Sequence, residues 1–240
     1  MSREELRKAE LQKGQYEQIG VAMTCRSYTE YEQMFQVSQT VKGKVLDVAA
    51  GASSFTAEAL KRGLDAYAVD PQYEKSVNVL QEEGSNELLQ AREKLLHAYE
   101  LFNWETYGSL DKLMKLRERS LTMFLNSYVE FRERYINGQL TLLPFADNQF
   151  SLIVCSHFLF LYGKQFTVDF HERSLHELIR ICEIGGEIRL YPLVGFDGNV
   201  YPHMDELEQR LFELPVTIKR VKVDFQFVKG ATHMLVIEKR

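Results

Sequence analysis

Cysteine is scarce in this chain. Its 240 residues hold three, Cys25, Cys155 and Cys182, and no two stand at a metal-knuckle spacing. A disulfide framework is excluded, and reduced thiols in the cytoplasm are the expectation. Long apolar runs are missing as well, so nothing reads as a bilayer span. The opening Ser2-Arg3-Glu4-Glu5-Leu6-Arg7-Lys8 is too polar for a signal peptide. There is no basic excess: 29 Lys and Arg face 34 Asp and Glu, a net charge of −5. The electrostatic footprint of a nucleic-acid binder is therefore absent. Neither a repeat nor a low-complexity tract occurs. His171, Glu172 and His176 lie near one another, but no His pair has i, i+4 spacing and His-Glu-x-x-His is absent, so no metal is expected.

Against this background, 45% hydrophobic and 26% charged residues describe an ordinary globular protein with a full core. The chain is organised around Val45-Leu46-Asp47-Val48-Ala49-Ala50-Gly51-Ala52-Ser53-Ser54-Phe55. Val45, Leu46 and Val48 are the short apolar run of a central parallel strand. Ala49 to Ala52 leave the backbone nearly bare. Ser53 or Ser54 can cap the next helix, whose first amides would face the turn. This is the layout of a nucleotide-cofactor site. About nineteen residues later, Ala66-Tyr67-Ala68-Val69-Asp70 ends in an acid placed to hold a ribose diol, and Pro71 follows it. A dinucleotide fold shares that spacing, so an NAD(P)-dependent oxidoreductase stays open. Asp47 inside the strand end and two antiparallel-looking strands at the C-terminus weigh against it.

At these residues the sequence resembles the class I S-adenosylmethionine-dependent methyltransferases (type 11-like), whose first motif reads Val-Leu-Asp-Val-Gly-x-Gly-x-Gly. Gly51 is kept, whereas Ala49 and Ser53 stand where glycine is preferred. A second match is Leu143-Pro144-Phe145-Ala146-Asp147-Asn148-Gln149-Phe150-Ser151-Leu152-Ile153-Val154, a turn leading into strand four. A third is Gly185-Gly186 followed by Glu187-Ile188-Arg189-Leu190-Tyr191 as strand five. The resemblance implies an α/β, three-layer Rossmann-like fold. Its seven-stranded, mostly parallel sheet would have an antiparallel last strand. It implies S-adenosylmethionine as cofactor and a methyltransferase activity (EC 2.1.1.-). Asp47, Ala49, Gly51 and Ser53 would line or order the first turn, and Asp70 and Pro71 the ribose edge. Gln139 falls where relatives often carry an acid for the adenine amino group, with Leu140 offering its backbone. Ser156 and His157 follow strand four, where the reacting methyl would lie. His157 titrates near neutral pH and is a candidate general base, against the alternative that this polar pair only shapes the pocket.

Residues 1–40 read as N-terminal helices, with capping boxes at Ser2/Glu5 and Ser27/Glu30. Tyr16, Tyr28, Tyr31 and Phe35 would pack on the sheet or close over the cofactor. The methyltransferase domain spans 41–240. Strand three is expected near Gln139-Leu140-Thr141-Leu142, which leaves about 84–137 as a two-helix insertion between strands two and three. Leu88, Leu89, Leu95, Leu96, Tyr99 and Phe102 would line one helix. Leu110, Leu113, Met114, Leu121, Phe124, Tyr128, Phe131 and Tyr135 would line the other, with Trp104 at the corner and Asn137-Gly138 as a helix stop. The insertion reads as a hairpin packed on the domain or on a second copy in a homodimer, as a lid over an acceptor pocket, or as a partner-binding module. Arg117-Glu118-Arg119 reads as a solvated face, as does the Asp169, Glu172, Arg173, Glu177, Arg180 side of a helix over 167–182.

The acceptor is expected to be a small molecule. The Asn-Pro-Pro-Tyr motif of amino-group nucleic-acid methylases is missing after strand four, and no cysteine sits in a pyrimidine-methylase context. A cofactor-binding or regulatory protein of the same fold without turnover is the remaining alternative.

Overall fold

The computed structural model describes residue 18 and residues 20–37 and 41–240. Ser2/Glu5 and Tyr16 lie outside the described residues. The first helix among the described residues, α1, is Tyr28–Phe35, opened by the expected capping box: Ser27 Oγ accepts from the Glu30 amide and the Glu30 carboxylate accepts from the Ser27 amide. Strand β1 is Lys44–Val48, α2 Phe55–Lys61 and β2 Asp65–Asp70. Gly63, at φ +82°, follows α2 as a left-handed helix stop. Two 21-residue helices come next, α3 Val77–His97 and α4 Leu110–Glu130. Strand β3 is Tyr135–Asn137, β4 Phe150–Ser156, α5 Val168–Ile181 and β5 Cys182–Tyr191. The chain closes with α6 Met204–Leu211, β6 Val216–Lys222 and β7 His233–Lys239.

The seven strands form one sheet in the order β3-β2-β1-β4-β5-β7-β6. β1 pairs in parallel with β2 and β4, β2 with β3, and β4 with β5. β7 runs antiparallel between β5 and β6. This is the class I methyltransferase sheet, and the strand order reverses between β1 and β4, where open α/β folds place ligands. Side chains alternate across β1: Val45 joins the core under α1 and α2, while Leu46 and Val48 join the core under α5 and α6.

Three expectations need correction. Strand three lies at 135–137, ahead of Gln139-Leu140-Thr141-Leu142, which is a loop closed by a Gln139–Leu142 bridge. Tyr135 fits the helical stripe only because its ring packs back on α4, its hydroxyl donating to Ser127 Oγ at 2.8 Å. Asn137-Gly138 therefore ends a strand. Next, Leu89 and Leu96 do not join Leu95 in the core; they are 66% and 62% exposed on the outer side of α3. Finally, Gly185 and Gly186 form a bulge inside β5, between the Cys182–Phe150 and Glu187–Leu152 pairs. The two helices between β2 and β3 are present, with Trp104 in the connection. There Trp104 and Phe102 pack on Phe227 of the β6–β7 loop.

A buried ion cluster ties this insertion to the N-terminal segment. Arg117 of α4 grips Glu30 of α1 through two nitrogens, each at 2.7 Å. Arg26 Nη1 reaches the same carboxylate at 3.2 Å, and the Tyr107 hydroxyl donates to it at 2.5 Å. Arg117 is thus buried, not part of a solvated face. Burial alone would push the Glu30 carboxyl up. The charges of Arg117 and Arg26, with the hydrogen bonds, outweigh it and hold the group at about 2. The cluster's stability is therefore full above the ordinary value of 4.5 and fades as pH falls toward 2. Glu30→Gln should cost about 3–5 kcal/mol at neutral pH, because two guanidiniums lose their buried counter-charge. Urea unfolding across pH 2–7 checks this: wild type should lose stability below pH 4.5 more steeply than the variant.

Candidate functional site

The turn after β1 is held from two sides. Asp70, at the end of β2, accepts the Gly51 amide on Oδ2 at 3.0 Å and the Gln72 amide on Oδ1 at 2.9 Å. The Tyr73 hydroxyl donates to Gly51 O at 2.7 Å. Ala49 and Gly51 both have left-handed backbone, φ +53° and +55°. That explains the family's glycine at the first position: alanine tolerates it at a cost of about 1–2 kcal/mol. A Cβ on Gly51 would stand 3.3 Å from Thr24 N, so the backbone at Thr24 rests directly on the turn.

Against this turn opens a cavity of about 400 Å³ at the carboxyl ends of β1, β2 and β3. Ala49, Gly51, Asp70, Pro71, Gln139 and Leu140 all line it, with Phe158, Phe166 and Phe170 on the apolar side. Six of the sequence-derived cofactor residues are thereby brought together. Asp70 is 8% exposed, and burial raises its carboxyl despite the Gln72 and Gly51 amides and the Lys75 charge, which lower it. Its two remaining lone-pair directions can meet a diol.

Three others do not reach this cavity. Asp47 is fully buried beneath it and accepts the Tyr31 hydroxyl at 2.9 and 3.1 Å. Burial pushes its carboxyl well up, the Tyr31 and Ser53 hydrogen bonds oppose this, and the Asp70 charge adds to it. Asp47 therefore fastens α1 to the sheet, where Tyr31 also stacks on Phe55 at 4.5 Å. Ser53 turns inward and its Oγ accepts the Phe55 amide at 3.0 Å. The Ser54 amide donates to Arg26 O at 2.8 Å, so the amides opening α2 are used by the protein. Ser156 contacts His157 Nδ1 at 2.9 Å and Met34 Sδ at 3.8 Å.

His157 faces a different hollow. Its backbone is left-handed, φ +54°, a conformation His adopts more readily than most residues. Its amide donates to Tyr191 O at 2.6 Å. The ring lines a second cavity, of about 80 Å³, with Arg26, Arg117, Leu113, Leu161 and Phe227. Ala22 and Met23 line both cavities, so the chain over 21–25 is the partition between them. Burial, then the charges of Arg26 and Arg117, press the imidazole well below its ordinary range; it is neutral at neutral pH. Neither His157 Nε2 nor Arg26 Nε has a hydrogen-bond partner among the described residues.

Sequence reasoning missed Arg26, Arg117 and Glu177, and it named Tyr31 without its bond to Asp47. Arg117 and Glu177 were hidden in charge-rich stretches. Glu177 is 7% exposed and accepts the Leu143 amide at 2.6 Å, holding the loop after β3. The buried acid Asp47 was the available signal for Tyr31, since an acid inside a strand needs a donor.

No family model matches the chain. Among solved structures, it is similar to a TehB-like SAM-dependent methyltransferase from Corynebacterium glutamicum, with 15% identity, 89% of this chain and 88% of that one covered, and a TM-score of 0.49. It is also similar to the glycopeptide N-methyltransferase MtfA complexed with S-adenosylmethionine, with 12% identity, coverage of 89% and 93%, and a TM-score of 0.47. Likenesses this distant carry no argument about activity, and the fold rests on the strand order above. Among the described residues no helix is long and apolar enough to cross a membrane. One relative is far nearer in sequence: the uncharacterized protein MJ0045 of Methanocaldococcus jannaschii is 32% identical over 216 residues, 89% of this chain and 94% of that protein. The chain belongs to the family of that archaeal protein, and it is built on the class I methyltransferase sheet.

Proposed function

We propose that this protein is an S-adenosylmethionine-dependent methyltransferase with a small-molecule acceptor. The observation that carries the reading is the 400 Å³ cavity at the switch point of a class I sheet, with Asp70 in its wall beside the bare backbone of Ala49 and Gly51. The residues fit the cofactor. Asp70 would accept hydrogen bonds from the ribose hydroxyls, with Pro71 against the same edge. Gln139 is a neutral partner for the adenine amino group, and Leu140 offers its backbone. Ala49 and Gly51 admit the ligand to the main chain. When bound, S-adenosylmethionine supplies a methyl group already activated by the sulfonium charge.

What remains for the protein is to align donor and acceptor and to exclude water. The antiparallel β7 stands where a dinucleotide-binding sheet would continue in parallel, which favours the sulfonium compound over NAD(P). A cavity of this size suits one nucleoside with a short arm. Release of S-adenosylhomocysteine in a methyl-transfer assay distinguishes turnover from binding alone.

A ligand that binds the folded state raises the melting temperature by mass action. S-adenosylmethionine and S-adenosylhomocysteine should each raise it, while NAD and NADP should not; the reverse pattern would overturn the cofactor assignment. Asp70→Asn should weaken S-adenosylhomocysteine binding by roughly 10- to 100-fold, the value of one charge-assisted bond of about 1.5–3 kcal/mol. Titration calorimetry measures it, and unchanged affinity would remove Asp70 from the ribose site.

A further inference from the structure

Resting on the methyltransferase reading, we propose that Gln165 and Tyr162 are positioning residues for the cofactor: together they latch the chain over 20–22 in place as a wall of the larger cavity, and the cofactor enters and leaves when that latch opens. Three observations carry this. The first is the latch itself. A single 3-10 turn, Gly163–Gln165, follows β4. The Gln165 side-chain amide grips backbone at two points, Nε2 donating to Gln18 O at 2.8 Å and Oε1 accepting the Gly20 amide at 3.0 Å. The Tyr162 hydroxyl accepts the Ala22 amide at 3.1 Å. Lys94 of α3 donates to Gln18 Oε1 at 2.7 Å, which ties the insertion to the same point.

The second is a contrast between the two ends of this strap. From Met23 on, the chain is anchored. Met23 packs on the cluster that holds Cys25, Leu80 and Leu121, and the backbone at Thr24 rests on Gly51. Cys25 O accepts Arg117 Nη1 at 2.9 Å, and Arg26 O accepts the Ser54 amide at 2.8 Å. Ahead of Met23 the holds are polar and lie near water. Both Gln165 bonds are at the surface, and Val21 is 49% exposed. Gly20, at φ +70°, has nothing within 4 Å of where a Cβ would stand. Backbone held by exposed hydrogen bonds opens at low cost, whereas backbone held in the core opens only with the core. Met23 is therefore the hinge.

The third is placement. Val21 and Ala22 line the larger cavity together with Gly51 and Asp70, and so do Phe158 and Phe166, which flank the turn in sequence. Latch and cofactor chamber share one wall. A wall that opens to pass a ligand and then closes has a kinetic signature. A weaker latch makes the open form more frequent by the same factor with and without ligand. Association and dissociation then quicken together, and affinity hardly moves while the closed form still predominates.

Surface plasmon resonance on the full chain with S-adenosylhomocysteine reads both rates. Gln165→Ala removes two bonds from an exposed side chain and should raise association and dissociation each roughly tenfold, with Kd kept within about twofold. Tyr162→Phe removes one bond and should raise both roughly threefold. Unchanged rates overturn the proposal, for the cofactor then passes on another side. So does a rise in dissociation alone, for Gln165 would then be a ligand contact and not a latch. Amide exchange on the unliganded protein tests the strap without any cofactor. In Gln165→Ala the Ala22 amide should exchange roughly tenfold faster, while the Ser54 amide at the anchored end keeps its wild-type rate. An unchanged Ala22 amide overturns the latch. If S-adenosylhomocysteine does not bind at all but the Ala22 amide responds in this way, the latch stands and the methyltransferase reading fails.

Discussion

The carboxylate of Glu30 is the point on which the upper half of the molecule depends. It caps its own helix, accepting the Ser27 amide at 2.7 Å, and it neutralises guanidiniums from two other places in the chain. Through it α1, the loop bearing Tyr107 and the long helix α4 become one roof over the carboxyl end of the sheet. The sheet itself is assembled by ordinary burial of Val, Leu and Ile, which needs no specific partner. The roof is different: two arginines are held out of water by a single acid, an arrangement that is strongly disfavoured once any partner is missing. Its geometry is therefore tightly prescribed, and with it the positions of Arg26 and His157.

Two aspartates at the ends of neighbouring strands divide the work beneath. Both are buried and both have raised carboxyl values, yet their surroundings differ. Asp47 has its oxygens engaged by Tyr31 and lies away from either cavity. Asp70 spends one direction on each of two backbone amides and keeps the rest at a cavity wall. One acid joins helix to sheet; the other fixes the turn and stays available to a ligand.

Much of this was legible in the residues. Short apolar runs, a bare turn and a spaced acid are local signals, and they located β1, β2, β4, β5 and six residues of the larger cavity. The two helices between β2 and β3 followed from periodicity, and so did the error at their end, because Tyr135 keeps the helical phase while already in a strand. What escaped was long-range. Arg117 sits 87 residues from Glu30, and no spacing rule joins them. Its neighbours Glu118 and Arg119 made the stretch look solvated. The small cavity is closed by widely separated parts of the chain, and only the folded molecule brings His157 and Arg26 to the same hollow.

The strip of backbone over 21–26 has a mechanical consequence. Its peptide units lie on Gly51, receive the Ser54 amide and form a wall common to both chambers. A molecule pressing on one side of so thin a divider reshapes the other. Occupancy of either chamber should therefore alter the tightness of its neighbour, and thermodynamic reciprocity makes that influence equal in both directions.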